Sequence, residues 1–174
     1  MIQALGNIGP EAGGAVPAMV ELATRDKDEE IRRAASLALW RLGPESVRAV
    51  PQLMEAVVDE SRRVAASNAL FFMDRQIQGV VPFLVRALED PNPEVRRMAA
   101  MCLDRLESPG PEAVPALIRA IQDPEIRFSA IRTLGTIGPA ARSAIPALLE
   151  ARKDVHQHVR EIAIQSLEKI GWAP

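Results

Sequence analysis

Few of the 174 residues are of types that do chemistry, and their spacing narrows what that chemistry could be. His156 and His158 flank Gln157 in a stretch that reads as a turn, without acidic partners at metal-ligand spacing, so the pattern points to solvated side chains. Cys102 is the single cysteine, which excludes an intramolecular disulfide framework and a thiolate-rich zinc site. No Gly-rich phosphate loop, Gly-x-Ser-x-Gly elbow or paired catalytic carboxylate motif occurs. No catalytic residue, metal or cofactor is therefore assigned. What remains is recognition chemistry: 18 arginines against 3 lysines, and two stackable anchors, Trp40 and Phe71.

These side chains are positioned by a repeat. Leu39, Leu70, Leu103, Leu134 and Leu167 follow one another in alternating shorter and longer steps, and Ala35, Ala66, Ala99, Ala130 and Ala163 keep the same steps one helical turn earlier. Pro17, Pro51, Pro82, Pro115 and Pro146 form another column, as do Asp26, Asp59, Asp90, Asp123 and Asp154. An arginine column follows at Arg32, Arg63, Arg96, Arg127 and Arg160. The Asp-to-Arg distance runs 6, 4, 6, 4, 6, so every second turn is longer by two and a super-period of two units results, Leu39 to Leu103 to Leu167.

Each repeat reads as a helical hairpin. Ile31, Ala34, Ala35, Ala38, Leu39 and Leu42 recur at three- and four-residue spacing, the apolar stripe of a packed helix. Leu42-Gly43-Pro44 and Ile137-Gly138-Pro139 end such second helices, as does Ile8-Gly9-Pro10. The proline of each first helix should kink or restart it. Asp90-Pro91-Asn92-Pro93 and Asp123-Pro124-Glu125 are turn or helix-start signals. Each hairpin leaves an apolar face that only a neighbour can cover. The expected fold is all-α, a right-handed α-solenoid of stacked hairpins with about 31–34 residues per repeat. It forms a single domain over 1–174: a half-helix at 1–9, then five hairpins ending near 171. Cys102 shares a small-residue slot with Ala38, Ala69, Thr133 and Ser166, which predicts a buried, inert thiol.

A chain that is 48% hydrophobic and 3% aromatic, with 21 basic against 23 acidic residues, describes a soluble folded protein. The net charge of -2 offers no global attraction to nucleic acid or anionic lipid. No apolar stretch is long enough to span a membrane, and no signal-peptide pattern opens the chain, so a cytoplasmic location is expected.

The repeated residues resemble HEAT repeats, specifically the short variety of the phycobilisome-lyase-like family, whose pattern Asp-x-x-Val-Arg-x-x-Ala-x-x-x-Leu-x-x-Leu-Gly-Pro-Glu, then Ala-Val-Pro-Ala-Leu, covers essentially the whole chain. Met73-Asp74-Arg75 replaces Leu-Gly-Pro in one unit, and Leu106 to Pro111 shifts the turn glycine in another. The resemblance implies that the second helices line a concave side. It also implies three kinds of relative: chromophore lyases, an iron hydroxylase whose His-Glu ligand pairs are missing here, and scaffolds.

On that placement, a partner meets Arg33, Leu37, Trp40 and Arg41, then Phe71, then Arg97, Met101 and Arg105. Aromatic, Met and Arg side chains together have the composition of a protein-interaction patch. Trp40, Phe71 and Phe72 alternatively fill space between helices. The arginine column is read as structural, each Arg tying to the Asp of the preceding turn and joining units through bidentate pairs. The expected function is a non-catalytic scaffold or adaptor for a protein or peptide. A nucleic-acid-binding array using Arg33, Arg41, Arg97, Arg105 and Arg132 is the alternative, and an accessory subunit of a chromophore-lyase-like enzyme the third. The first helix carries no polar cap, so the expectation is either that the chain is a piece of a longer solenoid or that a partner or a second copy covers that end.

Overall fold

The computed structural model describes residues 13–72 and 78–173, without the side chains of Pro44, Phe71, Phe72 and Gln78. The expected half-helix at 1–9, Ile8-Gly9-Pro10 and the variant turn at Met73-Asp74-Arg75 lie outside these residues. Two compact units divide the chain, 1–83 and 84–174. The first contains α1 (Val16–Arg25), α2 (Glu29–Arg41), α3 (Val50–Val58) and α4 (Arg63–Phe72). The division falls within α5 (Val81–Ala87). The second contains α6 (Pro93–Arg105), α7 (Val114–Ala120), α8 (Arg127–Ile137), α9 (Ile145–Ala151) and α10 (Gln157–Ile170). No strand occurs among the described residues.

The leucine and alanine columns are the core. Leu39, Leu103, Leu134 and Leu167 are buried, and the five alanines at 35, 66, 99, 130 and 163 are sealed completely. A methyl group on each of these faces lets neighbouring helices approach closely. The proline column restarts the first helices: each proline is the second residue of its α-helix, after a 3-10 turn such as Gly43–Ala49 or Gly138–Ala144. Gly43 and Gly138 take φ of 59° and 70°, the left-handed region where a side chain would be strained, which is why these turns end in Gly-Pro.

All five aspartates act alike. The Oδ1 of Asp26, Asp59, Asp90, Asp123 and Asp154 accepts the backbone N–H two residues on, closing an Asx turn at the head of each second helix. In the longer turns the intervening residue becomes the N-cap. Asp28 and Asn92 accept the N–H groups of Glu30 and Glu94. In these two of the three longer turns the extra residues supply a second cap; in the third, His156 takes the N-cap position without a side-chain cap bond.

The arginine column is structural, but its partners differ from the expected ones. Arg32, Arg96 and Arg160 donate through one guanidinium nitrogen to the carbonyls of residues six and five earlier, at 2.8–3.2 Å, not to the carboxylate of that turn. The turn's carboxylate is already committed to its own backbone, so the arginine satisfies the carbonyls instead. The carboxylate partner belongs to the following turn. Arg96 Nε donates to Asp123 Oδ2 at 2.7 Å and Arg127 to Asp154 Oδ2 at 2.5 Å, each through a single bond.

These bonds shift the acids. Hydrogen bonds from the His156 N–H, then its ring and Arg127, hold Asp154 down at about 2 against an ordinary 3.8, despite partial desolvation. Desolvation raises Asp123, but Arg96 and the Glu125 N–H outweigh it and the net shift is downward. A carboxyl whose folded value is depressed stabilises the fold above its unfolded value, and that contribution disappears as pH falls through the folded value. Thermal melts should therefore show the transition temperature of the C-terminal unit falling between pH 4 and pH 2. Asp154→Asn should flatten that dependence; an unchanged slope would contradict the assignment.

Candidate functional site

Helix α2 carries most of the expected partner-binding residues of the N-terminal unit. Arg33, Leu37 and Trp40 are spaced i, i+4, i+7, which puts them on one face over a rise of ~10 Å. Arg33 is exposed, Leu37 half-buried, and Trp40 is 43% exposed. Trp40 therefore stands partly open to solvent. Arg41 is exposed beside it. On α4, Val64 is 72% exposed and Asn68 is exposed, an apolar and an amide group one helical turn apart. The side chains of Phe71 and Phe72 lie outside the described residues.

A cleft of about 1100 Å³ opens where the N-terminal halves of α2 and α4 meet the turns that precede them. Arg32, Arg33 and Ser36 line it from α2, Val64, Ala65 and Asn68 from α4, and Asp59, Ser61 and Arg62 from the turn. Arg33 is the one member of the expected contact set that also lines this cleft.

The cleft coincides with a change in the Arg-to-Asp pairing. Arg32 and Asp59 occupy the same two columns, at the same separation along the chain, as Arg96 with Asp123 and Arg127 with Asp154. Asp59 instead accepts from Arg62 Nε at 2.7 Å through Oδ2, and from Ser61 Oγ at 2.6 Å through Oδ1. Those bonds, the Ser61 hydroxyl first, bring Asp59 to about 2. Arg62 itself is the anomaly: the residues before the arginine column are Ile31, Arg62, Val95, Ile126 and Val159. Val95, Ile126 and Val159 are buried. A guanidinium at this apolar position sits beside the turn and captures the carboxylate meant for the preceding repeat. This signal is present in the aligned columns, yet attention to regular spacing alone passes over it.

In the C-terminal unit, Arg97 is already paired. Arg97 reaches Glu94 at 3.1 Å and Glu125 at 3.5 Å. Met101 is 41% exposed, and Arg105 is half-buried. Arg132 forms a bidentate pair with the nearly buried Asp104 while its guanidinium lies 5.3 Å from the Phe128 ring centre. His158 is not in a turn but in the first turn of α10, its ring 5.7 Å from Phe128 and 5.6 Å from His156. His156 precedes the helix and its Nδ1 lies 3.0 Å from Asp154. Sequence reading missed this tilted ring cluster because Phe128 belongs to α8 and reaches the histidines only once that helix packs beside α10. Cys102 is half-buried, and desolvation pushes its thiol up to about 12, so it is not a nucleophile at neutral pH. Among the described residues no three acids, histidines or cysteines gather as a metal site, and no helix is long and apolar enough to cross a membrane.

Comparison with known proteins agrees with this architecture. The chain is similar to a designed armadillo repeat protein, YIII(Dq.V1)4CPAF, solved in complex with the peptide (KR)4: 19% identity, covering 97% of this chain and 90% of that one, TM-score 0.60. It is also similar to the complex of CpcE and CpcF of phycocyanin lyase from Nostoc sp. PCC7120, at 24% identity over 88% of this chain and 98% of that one, TM-score 0.60. Human deoxyhypusine hydroxylase shares 27% identity over 98% of this chain and 66% of its own, TM-score 0.51. No curated protein matches the sequence. The family described as HEAT repeats matches residues 1–72 and 81–168. With helices, caps and buried columns repeating as that match requires, this chain belongs to the HEAT-repeat family.

Proposed function

We propose that the chain is a non-catalytic scaffold that holds a protein or peptide segment against its second helices. Arg33, Leu37, Trp40, Arg41 and Phe71 form the contact set of the N-terminal unit, and Arg97, Met101 and Arg105 that of the C-terminal unit. The observation that carries this reading is Trp40. A ring of this size left 43% exposed, on a face shared with Leu37 and Arg33, is the kind of anchor that dominates peptide and protein interfaces. The repeat fold suits a binding scaffold, and a structural neighbour was solved with a peptide bound. Arg97 is held in ion pairs with Glu94 and Glu125, whereas Arg33 has no ion-pair partner among the described residues, so α2 offers the readier guanidinium.

Display of random peptides against the immobilised full chain tests this. Peptides enriched on the wild type should lose about tenfold or more in affinity for Trp40→Ala, the loss typical of a hot-spot aromatic. The helix content of the variant, measured by circular dichroism, should be unchanged. Equal binding by wild type and variant would refute the assignment of this face.

A further inference from the structure

We infer that the cleft between α2 and α4 recognises a carboxylate side chain, Asp or Glu, of the bound peptide. This rests on the scaffold reading above and names the chemistry of its partner.

Arg32 and Arg96 are held alike. In both, one terminal nitrogen is fixed on two carbonyls of the preceding turn, which leaves Nε and the other terminal nitrogen as donors. Arg96 Nε meets the Asp123 carboxylate at 2.7 Å. Arg32 Nε makes no hydrogen bond among the described residues, because Arg62 has taken the Asp59 carboxylate. A guanidinium already pinned by its turn loses little further freedom when it binds an acid, which favours a tight, oriented bond. Arg33, adjacent and exposed, has no ion-pair partner among the described residues and lines the same cleft.

The cleft, about 1100 Å³, has room for a side chain from outside. The cleft also discriminates. Asp26, Glu29 and Asp59 line it together with the arginines, and it contains no aromatic ring. The acids set among the arginines leave no continuous basic track for a phosphate backbone and nothing stacks on a base, whereas a single carboxylate needs only the open donors of Arg32 beside Arg33, so a peptide acid fits and a nucleic acid does not. The Arg62 guanidinium, satisfied by Asp59, forms part of the wall.

The test uses pools of short peptides, random except for one central position fixed as Glu, Gln or Lys, with binding to the full chain read by fluorescence polarisation. A single-stranded RNA of matching length is run in parallel. The Glu pool should bind about tenfold better than the Gln pool, the size of a charge-assisted bond. Arg32→Ala should bring that ratio close to one. Arg62→Ile should do the same while raising the melting temperature, since isoleucine restores the apolar column and returns Asp59 to Arg32. The Arg62→Ile result keeps the test informative where Arg32→Ala perturbs the turn. Equal Glu and Gln binding, a ratio untouched by both variants, or Arg32-dependent capture of RNA in place of peptide would overturn the inference. If every pool binds through Trp40 without preferring Glu, the inference fails and the scaffold reading stands; if no pool binds, both fail.

Discussion

Leu134→Ala should lower the stability of the C-terminal unit by about 2–5 kcal/mol, the range for removing a buried leucine whose surroundings cannot collapse into the gap. Leu134 is completely buried in α8, and its column recurs in every hairpin. In a unit of this size each kcal/mol corresponds to ~4–8 °C in transition temperature, so a fall of about 10 °C or more should appear in a thermal melt followed by circular dichroism. Leu39→Ala should have an effect of the same order on the N-terminal unit, because it occupies the equivalent, equally buried place. A change below about 1 kcal/mol at either position would mean that the columns are not the core.

Gly135→Ala is the sharper test of the packing. At an exposed helical site this change stabilises by up to about 1 kcal/mol, since alanine is the better helix former. Here a Cβ would lie 2.6 Å from Ser166 Oγ, 2.9 Å from its Cβ and 3.0 Å from its Cα. The last of these is backbone and cannot rotate away. Ser166 is itself fixed, its hydroxyl donating to the Ile131 carbonyl at 2.9 Å across the two helices. Overpacking of this kind costs ~1–3 kcal/mol, which exceeds the propensity gain, so net destabilisation is expected in a denaturant titration. Stabilisation by Gly135→Ala would show that α8 and α10 are not in such close approach.

Much of the fold was legible because a repeat multiplies each weak signal by five. One alanine a helical turn before a leucine says little, whereas five such pairs recurring in step identify the buried face of every second helix. The alternating turn length was equally visible, and hydrogen bonds show what two of the three longer turns do with it: Asp28 and Asn92 are second caps. The arginine column was recognised as structural, but its acceptors were misassigned, since sequence spacing cannot say that the turn aspartate is already occupied by its own backbone. Carbonyl oxygens carry no sequence signature at all.

The site was legible only in outline. Helical spacing placed Arg33, Leu37 and Trp40 on one face, and it could not tell whether Trp40 packs flat or stands open, because that depends on the volume left by neighbouring helices. The changed pairing in the cleft follows from one residue, Arg62 in a column otherwise of Ile and Val, and its consequence depends on which guanidinium reaches Asp59. The pairing of Arg97 with Glu94 and Glu125, and of Arg132 with Asp104, likewise joins residues that the linear pattern treats as independent. Exposure and pairing are properties of the assembled hairpins, so they emerge only after the columns have been stacked.

The proposed contact of a bound peptide with Trp40, on the open face of α2, carries the scaffold function. Its most direct test is the emission of Trp40 in a Trp172→Phe chain, in which it is the sole tryptophan, titrated with a peptide enriched by display. A saturable blue shift is expected as the 43% exposed ring is desolvated, with a midpoint equal to the dissociation constant measured by polarisation. Saturable binding with no change in Trp40 emission would place the partner elsewhere and contradict the account.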